Sequence, residues 1–135
     1  MMKLTRTEER EQAFILLFDK SFNVDTDMDE IISFAVESRL IELSNFAENL
    51  AKLTCENLEE IDSIIENHSI GWRIKRLPRV SLSILRLAIC EIKYVDSIPN
   101  SVSVNEAVEL AKKYASTDDA SFINGILGTY IRGIE

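Results

Sequence analysis

The sequence predicts an all-α protein, a compact bundle of about six to seven helices, and three observations carry that reading. Apolar residues recur at three- and four-residue spacing along nearly the whole chain. Glycine and proline are scarce, four and two among 135 residues, too few for a many-turned β protein. Hydroxyl, Asn or Asp residues stand just ahead of several periodic stretches, where helix caps belong. At this length residues 1–135 read as one domain large enough to bury a core.

The elements follow in order. Thr5-Arg6-Thr7-Glu8 has capping-box spacing. Ala13, Phe14, Leu17 and Phe18 then fall on one stripe of a first helix that ends near Ser21-Phe22-Asn23. Asp25-Thr26-Asp27 places negative charge at a second helix start, followed by Met28, Ile31, Ile32 and Ala35. The stretch from Arg39 to Leu43 has no clear period. A third helix is expected over 44–55, with Phe46, Ala47, Leu50 and Ala51 inward. Asn57-Leu58-Glu59-Glu60 reads as the cap of a fourth, whose stripe is Leu58, Ile61, Ile64, Ile65 and His68.

Ser69-Ile70-Gly71 is a stop, and residues 72–77 form a short basic helix or turn. Pro78 suits a first helical turn. Residues 80–94 are apolar on most sides, the mark of a central helix. A loop over 96–100 leads to Ser103-Val104-Asn105-Glu106, again at capping-box spacing, and a helix to about Ala115. Thr117-Asp118-Asp119 caps the last helix, which runs to about Arg132 with Phe122, Ile126 and Tyr130 on one stripe.

Several chemistries lack their residues. His68 is the only histidine, and Cys55 and Cys90 are far apart without metal-ligand spacing. No nucleophile motif or glycine-rich phosphate loop is present, so neither an enzyme nor a cofactor or metal site is expected. No apolar run approaches the length of a membrane span, and Arg6, Glu8, Glu9, Arg10 and Glu11 interrupt any leader-like start. The expected location is the cytoplasm.

A net charge of −8 at first argues against nucleic acid. Its distribution changes that view. Residues 1–70 hold 6 basic and 16 acidic side chains, and residues 71–135 hold 9 and 7. Local patches therefore matter more than the total. Lys3, Arg6 and Arg10 form one patch, with the two arginines four apart on one helix face. The face can hold phosphates or be an ordinary charged helix start. Replacing Arg6 and Arg10 by alanine is expected to reduce binding while leaving thermal stability unchanged within about 0.5 kcal/mol, as at exposed sites.

Arg73, Lys75, Arg76 and Arg79 beside Trp72 form a second patch, either a single-strand-binding surface or a helix boundary paired with acids. Gly125, after Asn124, sits inside a helical pattern at a cost of about 1 kcal/mol. It implies either a closely approaching helix or a ligand surface near Phe122.

Trp72, Arg76-Leu77, Ile84-Leu85-Arg86-Leu87-Ala88, Glu91 and Ile98-Pro99 resemble the bacterial transcription antitermination factor NusB family. So do the run from Asn105 to Lys112, the run from Phe122 to Leu127, and Arg10-Glu11-Gln12-Ala13. The resemblance implies two small helical subdomains packed together. It implies binding of single-stranded boxA RNA, with a small-subunit ribosomal protein acting as NusE, in a complex that carries RNA polymerase past terminators and promotes ribosomal RNA transcription.

Carried onto this chain, the resemblance implies an RNA surface of Lys3, Arg6, Arg10, Phe18, Asp118 and Phe122. It implies a protein-partner surface around Arg76, Leu82, Arg86 and Glu91, with Arg86 as either a contact or an internal ion-pair residue. The first helix is poorer in arginine than is usual there, and Ser121 stands where lysine is common, which implies weak RNA affinity for the lone protein. Ser81-Leu82 and Cys90 also depart from the family's pattern, in the partner region. A protein-interaction scaffold of the same fold, with little RNA binding of its own, is the alternative.

Overall fold

The computed structural model describes residues 3–39, 42–69, 71 and 73–134. Seven α-helices and one 3-10 turn are present among them, and no strand. They are α1 (Arg6–Phe22), α2 (Met28–Arg39), α3 (Asn45–Glu56), α4 (Leu58–His68), the turn Ile74–Arg76, α5 (Arg79–Tyr94), α6 (Asn100–Tyr114) and α7 (Thr117–Ile134). Ile70 and Trp72, and part of the unclear stretch after Arg39, lie outside the described residues.

The expected capping box opens α1. The Glu8 N–H donates to Thr5 Oγ1 at 3.1 Å, and the Thr5 N–H donates to Glu8 Oε1 at 2.9 Å. Lys20 closes the turn into α2 by donating to the carbonyls of Val24 and Thr26. Ser44 caps α3 by accepting from the Ala47 N–H at 2.9 Å, and its own N–H donates to Gln12 Oε1 at 3.0 Å, which ties α3 to α1. Gly71, at φ 79, ends the stop after α4 in a conformation that suits glycine.

Four starts differ from the sequence reading. Asn57 does not cap α4; its side-chain amide donates back to the Leu53 carbonyl at 2.9 Å, because α3 and α4 nearly abut. Pro78 stands one position earlier than expected, as the N-cap of α5. Pro99 does the same for α6, which starts at Asn100, so Ser103 is an interior residue and its box does not form. Ser116, not Thr117, caps α7 through the Asp119 N–H at 3.1 Å.

The helices make two groups. α1, α2 and α3 pack on one another, as do α4, α5, α6 and α7, and α5 joins the groups by packing on α1 and α3 as well. That central place explains its all-round apolar pattern. Ile84, Leu85 and Ile89 on α5 lose all exposure, each contributing about 1.5–3 kcal/mol.

Candidate nucleic-acid interface

Helices α1 and α6 lie side by side in the same sense, and a seam runs between them. At its near end Thr7 Oγ1 donates to Glu106 Oε1 at 2.8 Å. Further along, Lys113 Nζ donates to the Glu11 carboxylate at 2.8 and 3.1 Å, and the Phe14 and Tyr114 ring centroids are 5.0 Å apart. Phe18 continues the row, 6.0 Å from Phe14 and 5.0 Å from Phe22. The chain leaves Tyr114, turns through Ser116 and starts α7 at this end of the seam. Asp118 is exposed there in the first turn of α7; Phe122, one turn on, is half-buried against the core.

The first basic patch divides. Lys3 is exposed. Arg6 keeps half its side chain in solvent, 3.5 Å from Glu9, with its guanidinium 3.8 Å above the Phe46 ring of α3. Arg10 is not a surface residue. It is 3% exposed and donates three bonds to Glu91, from Nη2 at 2.6 Å and from Nε at 2.9 and 3.0 Å. Its Nη1 reaches Glu106 at 3.4 Å, and Ser103 Oγ donates to Glu91 at 3.0 Å. A carboxylate inside the bundle needs such partners, and a bidentate arginine supplies them most completely. The network joins α1, α5 and α6, so the expectation that Arg10 meets phosphate is corrected.

Glu91 is corrected with it: at 1% exposure it meets no partner protein. Arg86 takes the internal alternative, with Nε and Nη2 donating to the two Asp62 oxygens at 2.8 Å each. Arg76 is exposed. Leu82 is buried and lines a cavity of about 450 Å³ with Lys20, Lys75, Arg79, Arg86 and Asp27, a mainly basic hollow. Arg79 also lies 4.5 Å over the exposed Phe22 ring and donates to the Ser21 carbonyl. Ser81 is fully buried, so its departure from the family's pattern changes the interior and not the contact surface.

The seam's cations are held by the chain's own acids. Lys113 has its pKa raised by the hydrogen bond to Glu11, and Tyr114 has its raised first by burial and then by Glu11. Gly125 does not answer a neighbouring helix: a methyl group there would meet nothing within 4 Å. It faces open space one turn beyond Ser121. Phe46 is the residue the sequence reading missed as a site component. Its helical stripe marked it as core, whereas its ring carries Arg6.

Four similarities accompany this arrangement. The model of the NusB family matches residues 7–132. The transcription antitermination protein NusB of Lachnoclostridium phytofermentans is 42% identical over 131 residues, spanning 95% of this chain and 99% of that protein. A crystal structure of the antitermination factors NusB and NusE in complex with dsRNA aligns at a TM-score of 0.84 and 30% identity, covering 95% and 96% of the two chains. The T. maritima NusB structure aligns at 0.82 and 31%, covering 97% and 93%. With its helical fold and almost its whole length matching these proteins, this chain belongs to the NusB family.

Proposed function

We propose that the α1–α6 seam and the start of α7 bind boxA RNA, and that the chain acts as a non-enzymatic cytoplasmic antitermination factor together with a ribosomal protein of the NusE type. The observation that carries this reading is the seam itself. The half-buried Phe18 ring and the exposed Tyr114 ring lie along it, Phe14 being buried beneath them; the half-exposed Arg6 and exposed Lys3 stand near the start of α1, and the far end leads into Asp118. Cations neutralise phosphate and rings stack on unpaired bases, which suits a single strand. Asp118 accepts from an exocyclic amine, and Phe122 flanks it. Residues 1–135 act as one unit in this reading.

The protein partner docks beside the basic hollow, with Arg76 at its rim and Leu82 in its wall. Support comes from the relative seen with both NusE and RNA. That RNA is a duplex, so strandedness belongs in the test. RNA binding is measured with and without the ribosomal protein at two salt concentrations, using a boxA strand, a scrambled strand and a boxA duplex. Preference for the boxA strand, tightened by the ribosomal protein, is expected. Equal affinity for boxA and scrambled strands with the partner present overturns the assignment. Retention of the ribosomal protein with no RNA signal at low salt favours the scaffold reading, which the paired seam cations motivate.

A further inference from the structure

On the other side of α1 from the seam lies a second concave surface of opposite chemistry. Glu30, Ser33, Phe34 and Glu37 form one stripe of α2, and Asp19 and Asn23 face them from α1. With Asp29 and Ile31 they bound an open groove of about 770 Å³. Phe34 is 71% exposed, while Ile31 below it is 7% exposed. An aromatic ring left this open on a helix otherwise packed by Met28, Ile31, Ile32 and Ala35 costs solubility without helping the core. Four carboxylates rim it. Asp29 pairs with Lys52 at 3.1 Å, and Glu30 and Glu37 enter no ion pair among the described residues.

We infer that this groove docks a basic segment of a protein partner, one apolar side chain set against Phe34 and lysine or arginine on either side meeting Glu30 and Glu37. The charge selects the occupant. RNA is repelled by the rim. A second copy of this chain in a two-fold contact would set the same acids against themselves. A basic peptide gains both the ring contact and complementary charge, which raises its encounter rate and fixes its register. The groove is separate from the basic hollow on the far side of the α1–α2 corner, so it does not depend on the RNA and NusE reading.

The test uses the full chain, isotope-labelled, titrated with a synthetic amphipathic helix of lysine and leucine and with its glutamate-for-lysine counterpart. The basic peptide is expected to bind at least about tenfold more tightly. The amide shifts should centre on Asn23, Ser33, Phe34 and Glu37. Phe34→Ser, an exposed change that leaves the fold intact, should weaken binding about tenfold, while Ile134→Ser, an exposed apolar residue at the end of α7, should not. Affinity for RNA and for the ribosomal protein should be unchanged by Phe34→Ser. Equal binding of the two peptides, shifts centred elsewhere, or an unaffected Phe34→Ser variant each overturns the inference.

Discussion

Arg6 and Arg10 are four residues apart on one helix and do opposite things. Arg10 is almost wholly buried and makes three bonds to Glu91. Removing it strands a buried carboxylate, so Arg10→Ala should cost about 3–5 kcal/mol in a denaturant titration. Arg6→Ala should change stability by less than about 0.5 kcal/mol, yet lower RNA affinity and reduce its salt slope by about one ion. The contrast was not legible in the sequence, because Glu91 lies 81 positions from Arg10 and nothing local announces the pairing. Glu8 is local throughout. Its pKa is lowered from 4.5 first by the Thr5 backbone hydrogen bond, with the Thr5 hydroxyl next. A carboxyl lowered on folding stabilises above its unfolded pKa, and that contribution goes as pH falls below 4.5 through the folded value. The first turn of α1 should therefore fray in acid, read as faster amide exchange, and Glu8→Gln should remove the pH dependence.

Helix periods were readable because they depend on residues three and four apart. Starts were readable only where the signal was a side chain acting on its own turn. Thr5 caps as its spacing implies, and Ser44, expected as the first helical residue, is the cap of α3 instead. Ser103 has the same spacing and fails, since Pro99 has already begun the helix and Ser103 is needed by Glu91. Gly125 poses the reverse case, a locally unfavourable residue with open space where a methyl would go. Gly125→Ala should stabilise α7 by about 1 kcal/mol, raising Tm by about 4 °C in a thermal melt. If that face also meets RNA, affinity for a boxA strand should drop in the same variant, which separates backbone propensity from ligand contact.

Across the whole molecule, α5 makes the two helical groups depend on each other. Cys90 sits in its middle, fully buried, its thiol pushed up to about 11 mainly by burial. Cys55, half-buried on α3, lines the basic hollow. An alkylating reagent at neutral pH should label Cys55 first, and Cys90 only at the rate of global opening. Comparable rates for the two thiols would mean that α5 is not held as described. The seam pairs Arg6 with Glu9 and Lys113 with Glu11. Much of the gain when a polyanion meets a cationic surface comes from setting small mobile ions loose. A glutamate tethered to the backbone cannot diffuse away, so any passing nucleic acid must compete with acids that stay where they are and collects little of that entropy. If the seam is the RNA surface, as proposed, the protein thereby carries a threshold against indiscriminate adhesion, and a strand that also stacks on Phe18 and the exposed Tyr114 ring has more to offer in exchange.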